Sequence, residues 1–329
     1  MAVVESHATD ARGVKVKATR LKFSSALSGA VFALLGCTSV VAHADGLVAR
    51  LNQLPARERA TLQAAVAEQK RTDPKSFAAI RELKGYRPEH YRQFRNPIPQ
   101  VGPELRHLGK AALLPMLEAL VLDAPELAGA TDDERHAVIE GMLSEVGRLR
   151  DARSAPALRL AFVAAPSASL LRAAGRALGR LGDAASRGVL TASLNEPSRR
   201  LAAIDGLGEC RSSEAARTLA KELDAATSKN DAASLVRALG NLGSSWAWQA
   251  LGAARQAEGN DTREVAASAL VRSYHRFDGE TRAAYRSALT MVESADTGRI
   301  VLAHKRGFDE ATAQELEAVV KTIAARQGQ

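Results

Sequence analysis

The sequence predicts an all-α protein built as an α-solenoid, a stack of antiparallel helix pairs, and three observations predict it. One pattern recurs about every 31 residues: "SEVGRLRDARSAPAL", "RALGRLGDAASRGVL", "DGLGECRSSEAARTL" and "RALGNLGSSWAWQAL" align on Gly147, Gly179, Gly208 and Gly240. Within the pattern, apolar columns follow helical spacing, break at a short turn and then resume. Finally, aromatics make up 4% of the 329 residues against 46% apolar residues, so the core has to be assembled from many small contacts between closely approaching helices.

In chain order, Lys15, Lys17, Arg20 and Lys22 precede a largely apolar run from Phe23 to Gly36, and Ala42-His43-Ala44 follow it. A basic stretch, a short apolar run and small residues at a cleavage position read as a secretory signal over 1–44, with the mature chain starting at Asp45 and exported to the periplasm or beyond. Leu34-Leu35-Gly36-Cys37 resembles a bacterial lipobox, so the alternative is a signal ending before Cys37, with that cysteine lipidated and the chain membrane-anchored. After cleavage at Ala44, Cys210 is the sole cysteine and no intramolecular disulfide is available. The formal charge of +8 is concentrated in the first 110 residues, and the remainder is nearly neutral.

Residues 45–98 form an N-terminal helical segment. "PARERATLQAAVAEQKR" and "DPKSFAAIRELKGY" read as amphipathic helices, the second opened by Asp73-Pro74. "KGYRPEHYRQFRNP", 84–97, interleaves basic and aromatic residues as single-strand nucleic-acid binders do. Export argues against nucleic acid, and the aromatics are expected to pin this segment onto the first repeat, with the basic residues solvated or facing anionic lipid or polymer. "RNPIPQVGP", Arg95 to Pro103, is too rich in proline to continue a helix and marks the transition to the solenoid.

The solenoid covers 99–302, beginning with an irregular unit, "LGKAALLPMLEALV", and a long loop, "LDAPELAGATDDE". With the aligned glycine as zero, the column one residue before it reads Val146, Leu178, Leu207, Leu239, and the column eleven after it reads Leu158, Leu190, Leu219, Leu251. A fifth, weaker copy, "SALVRSYHRFDGETR", places Val271 at zero. The zero-position glycine lets a neighbouring helix approach, and a second glycine such as Gly182 or Gly243 supplies the left-handed conformation that ends the helix. The "A-L-G-x-L-G-D" helix end resembles HEAT repeats of the short bacterial HEAT-like, or PBS-lyase-type, variety, over roughly 135–290. The resemblance implies architecture far more than activity, since that class includes scaffolds, chromophore lyases and DNA glycosylases. Residues 303–329 close the chain with a capping helix opened by Asp309, with Leu316, Val319, Val320 and Ile323 on one face.

Catalytic signatures are missing: no H-E-x-x-H, Walker A loop, G-x-S-x-G or C-x-x-C occurs. His136 and Glu140 are four apart without further ligands, so no metal site and no cofactor are expected. Cys210 stands in a leucine column and reads as core. One residue after zero stand Arg148, Arg180, Glu209, Asn241 and Arg272, a polar column that either faces a partner as a ladder or complements helix dipoles. Trp246 and Trp248 are two apart and cannot share a helix face, and Trp246 falls in a mixed column, where it is either an exposed contact anchor or packed against the next turn. The expected function is a non-catalytic exported scaffold that binds a protein or other macromolecule. The alternatives are a HEAT-like enzyme of lyase or glycosylase type and a protein binding anionic envelope polymer or lipid.

Overall fold

The computed structural model describes residues 45–83, 101–127 and 130–328, whose regular elements are all helices, with no strand among them. The expected signal over 1–44, Cys37, the basic-aromatic stretch 84–97 and most of Arg95–Pro103 lie outside the described residues.

The chain enters as an extended segment that closes the C-terminal end of a later helix. Leu47 and Val48 donate their backbone N–H groups to the carbonyls of Ala119 and Leu120 at 2.9 and 3.0 Å, which gives partners to two of the carbonyls that a helix end leaves open. Helices α1 (Ala56–Thr72) and α2 (Pro74–Arg81) follow, the latter capped by Asp73. Both pack on α4 (Leu113–Val121), which comes after α3 (Gly102–Leu108). Phe77 and Ile80 of α2 are buried there, and Lys70 reaches the nearly buried Glu118 at 2.5 Å.

The repeated part contains α5 (Asp132–Leu149), α6 (Ala155–Ala164), α7 (Ala168–Leu181), α8 (Ala184–Ser193), α9 (Arg200–Leu207), α10 (Ser213–Ala225) and α11 (Lys229–Leu242). Local chemistry places their starts: Thr131 and Glu134 form a reciprocal capping box on α5, and Ser167, Asp183 and Ser228 accept backbone N–H bonds at α7, α8 and α11. After α11 come a five-residue helix α12 (Ser245–Gln249), then α13 (Gln256–Ser273), α14 (Gly279–Val292), α15 (Thr297–His304) and α16 (Glu310–Gln327).

Packing follows two series of neighbours. Helices α3, α5, α7, α9, α11 and α14 each pack on the next, while α4, α6 and α8, and then α10, α13 and α15, do the same in the other series. Within the first series the helices touch at small residues. A Cβ added at Gly147 would stand 2.7 Å from the Ala177 Cα, one at Gly240 would stand 3.0 Å from the Ala288 Cα, and one at Gly179 would run into the Gly206 carbonyl oxygen. The zero-position glycines therefore serve close helix approach, as the columns imply.

Two details of the register differ from expectation. Gly182 ends α7 at φ 75, but Gly243 ends α11 at φ −85, outside the left-handed region; its role is spatial, because a Cβ there would meet Val292 at 2.8 Å. The fifth copy is displaced by one helix. α12 is too short to serve as the second helix of its unit, so α13 takes that place against α10, and α14 becomes the next neighbour of α11. Val271 is buried but does not occupy the zero position of the first series.

At the C-terminus, Asp309 accepts from the Thr312 N–H at 2.7 Å and opens α16. Leu316, Val319 and Ile323 are buried against α14 and α15, whereas Val320 is only partly covered.

Candidate functional site

The outward positions of the first series repeat at seven before, three before and one after zero. They read Glu140, Ser144, Arg148 on α5; Arg172, Arg176, Arg180 on α7; Leu201, Asp205, Glu209 at α9; and Ala233, Arg237, Asn241 on α11. Between α5 and α9 these residues neutralise one another across helices. Arg172 donates to Asp205 at 2.8 Å, Arg176 to Glu140 at 2.9 Å, and Arg180 to both carboxylate oxygens of Glu209 at 3.3 Å and to the Ser144 hydroxyl at 3.0 Å. Half-exposed pairs of this kind contribute about 0–1 kcal/mol each, and their main effect is to fix side-chain placement across the helix seams. A cleft of about 140 Å³ lies between α5 and α7, lined by Glu140, Gly141, Ser144, Ala173, Arg176 and Arg180.

The column one after zero does not form one continuous ladder. Arg148 turns back to Glu145 at 2.5 Å, a carboxylate only 3% exposed that Arg106 also reaches at 3.0 Å. Arg180 instead bridges α5 and α9 through Ser144 and Glu209. The Asn241 side chain is exposed and makes no hydrogen bond to any described residue. Arg272 stands apart from the other three, because α13 belongs to the second series, where Arg272 binds Asp224 of α10 at 2.6 Å. Beside it, Arg276 donates to the Leu223 and Asp224 carbonyls at 2.9 Å and to the Ala226 carbonyl, satisfying the open end of α10. Arg272 thus belongs to a clamp on a helix end and adds no rung to a ladder.

Trp246 on α12 is 77% exposed, while Trp248 is fully buried and donates its indole N–H to the Leu242 carbonyl at 2.8 Å. Past α9 the outward face changes character. Arg237 donates only to the Ser234 hydroxyl at 3.1 Å and has no carboxylate partner among the described residues. It borders a cleft of about 560 Å³ between the N-terminal ends of α9, α11 and α14, which Arg200, Leu201, Lys229, Asp231 and Glu280 also line. Arg200 is held in a fixed place there by Asp231 at 2.8 Å and Glu222 at 2.7 Å, which raise its pKa further above the ordinary arginine value.

In the helix-ending column three after zero, sequence reasoning named Gly182 and Gly243 but missed Arg150 and Arg211, which share it. Arg150 ends α5 at φ 51 and Arg211 follows α9 at φ 44, both left-handed. Burial lowers the pKa of the Arg211 guanidinium; Glu209 acts against that, while Arg150 and Arg180 lower it further. The Arg150 pKa is lowered in the same way, by burial first, with Arg180 and Arg255 adding to it against Glu209. The signal was visible as arginine standing in a glycine column.

Glu140 is engaged by Arg176, and no group of three His, Cys, Asp or Glu side chains among the described residues is placed to hold a metal ion. Cys210 is buried, its thiol directed to the Gly206 carbonyl at 3.6 Å, and burial pushes its pKa up from 9.0 to about 12. A thiol-specific disulfide reagent at pH 8, read out by mass on the peptide that carries Cys210, is expected to leave Cys210 unlabelled in the native chain and to label it on unfolding; labelling of Cys210 in native protein would contradict the burial. Because the folded pKa is the higher one, the associated stability is fully present below pH 9.0 and is lost as pH rises towards about 12.

Scanned against models of protein families the chain matches none, and a search of curated proteins finds no match to it.

Proposed function

We propose that the chain is an exported α-solenoid of HEAT-type helix pairs that binds a protein partner along the face formed by α5, α7, α9, α11 and α14, without chemistry of its own. Closer helix spacing in that series, set by the Gly–Ala contacts, would bend a stack towards it and make it the inner face. The observation that carries the reading is the contrast along this face. From α5 to α9 the charges are spent on one another, whereas on α11 Arg237, which borders the cleft of about 560 Å³, is exposed with no carboxylate partner among the described residues, Asn241 is exposed without a side-chain hydrogen bond, and Trp246 is exposed on the helix that follows. Tryptophan and arginine are among the residue types that dominate binding hot spots.

Export belongs to the same proposal. Asp45 to Ala49 dock on the end of α4, so cleavage after Ala44 would leave the packed segment whole. No helix among the described residues is long and apolar enough to cross a membrane. The mass of the mature N-terminus separates a chain starting at Asp45 from one lipidated at Cys37.

The binding test is quantitative crosslinking and capture from the cell envelope by the exported chain. Trp246→Ala with Arg237→Glu is expected to reduce recovery of a specific partner at least tenfold, and Arg272→Glu is expected to leave it unchanged. Equal recovery by all three chains would overturn the assignment of the face.

A further inference from the structure

We propose that the groove between α1 and α6 binds a fatty acid, with the alkyl chain lying along α1 and the carboxylate held by Arg57. The site is independent of the protein-binding reading, since α1, α4 and α6 are not helices of that face.

The groove follows from the way the helices pack. α1 rests on α4 and α4 rests on α6, while Glu58 reaches across from α1 to Arg159 of α6 at 3.7 Å. Between them lies a cavity of about 340 Å³, lined by the buried Leu54, Leu62, Leu114 and Ala157 and the half-buried Ala65 and Pro156. Ala65, Pro156 and Ala157 are too short to close it. The Thr61 hydroxyl also lines the groove, but it donates back to the Arg57 carbonyl at 2.9 Å and so is spent on its own helix.

The lining selects the body of the ligand. Apolar walls favour an apolar occupant, because filling them removes hydrocarbon surface from water on both sides. No aromatic side chain lines the groove, so a ring would find no stacking partner, whereas an aliphatic chain matches leucine and alanine. From Arg57 to Ala65 the lining follows about 12 Å of helix, which suits an extended chain. Ligand pockets run from about 300 to 1,000 Å³, and a volume at the low end of that range holds one alkyl chain better than the two of a diacyl lipid.

Charge selects the head. Among the charged side chains that line the groove, Arg153 is held by Asp151 at 2.8 and 2.9 Å, and Glu58 faces Arg159. Arg57 is exposed, and its side chain makes no hydrogen bond or ion pair among the described residues. One uncommitted guanidinium on an apolar groove complements one negative charge on an apolar body, and its planar fork matches a carboxylate. An arginine that only laid its stem along the apolar wall would not distinguish an acid from the corresponding alcohol.

The test is calorimetric titration of the chain with decanoate, decan-1-ol and decyltrimethylammonium, each below its micelle or solubility limit. The chains compared are the parent, Arg57→Glu and Ala65→Phe, which puts a ring into the groove. The parent is expected to bind decanoate saturably at one site, decan-1-ol at least fivefold more weakly and the ammonium not at all. Arg57→Glu is expected to weaken decanoate at least fivefold and leave decan-1-ol unchanged, and Ala65→Phe to weaken both at least tenfold. Thermal unfolding should place both variants within about 2 °C of the parent. No saturable decanoate binding by the parent, or undiminished binding by Ala65→Phe, would overturn the site. Equal affinity for decanoate and decan-1-ol, or undiminished decanoate binding by Arg57→Glu, would overturn the assignment of the carboxylate to Arg57. Should Ala65→Phe fail to fold, Thr61→Phe, at an exposed lining position, takes its place.

Discussion

Replacing Gly179 by alanine is expected to destabilise the protein by about 3 kcal/mol, the upper end of what overpacking costs, and to lower Tm by roughly 6–12 °C. The added methyl would run into the Gly206 carbonyl oxygen and crowd the Glu209 Cβ at 3.1 Å. Both obstacles are fixed to the backbone of α9 or its end, so no rotamer change relieves them and the α7–α9 seam has to open. The neighbouring contact on the same seam is as tight, since a Cβ added at Gly206 would stand 2.6 Å from the Gly175 carbonyl oxygen, so the seam has little room to slide. Gly188, only nine positions further along, behaves in the opposite way. It sits exposed within α8, and a methyl group added there would meet no atom within 4 Å, so Gly188→Ala is expected to stabilise by about 0.5–1 kcal/mol. Thermal unfolding followed by circular dichroism checks both, and a Gly179→Ala chain within about 0.5 kcal/mol of the parent would sink the close-approach account.

Trp248→Ala is expected to cost about 3–5 kcal/mol, whereas Trp246→Ala, two residues away, should stay within about 0.5 kcal/mol. Trp248 is fully buried, its indole N–H is satisfied by the Leu242 carbonyl, Gly259 lies against its ring and the Arg255 guanidinium stands 5.5 Å from the ring centroid. Truncation would leave a cavity under α12 and α13 and orphan a helix-end carbonyl. The chain has two tryptophans, so iodide quenching separates them: the exposed Trp246 should be quenched and Trp248 protected until urea unfolds the chain. Similar urea midpoints for the two alanine variants would refute the assignment of Trp248 as the structural residue.

Residue by residue, the helical part of the chain was legible because local chemistry and apolar periodicity agree there. The leucines at 143, 178, 207 and 239 are buried as their spacing implies, Cys210 joins them, and Asp73, Asp183 and Asp309 cap the helices that they precede. Trp246 was separable from Trp248 because helical period alone forbids a shared face. The fifth copy failed for a different reason. Val271, Leu270 and Ala267 satisfy the apolar columns, and burial is what those columns report, so the periodicity could not tell which series of helices would bury them. The deciding fact is the shortness of α12, set around a tryptophan that must be enclosed on all sides.

The sequence by itself determined the helical class, the period of the units, their caps, and the need for glycine where helices meet, since each depends on residues near one another in the chain. Only the tertiary structure decided which charges remain available. Arg148, Arg180 and Arg272 looked alike in one column, yet their carboxylate partners come from Glu145 on the same helix, Glu209 after the next helix of the series, and Asp224 in the other series. Coulombic neutralisation acts over a few ångströms irrespective of chain separation, so the surplus charge emerged at Arg150, Arg211 and Arg237, where the folded chain brings no carboxylate of their own within ion-pair reach or only one already shared.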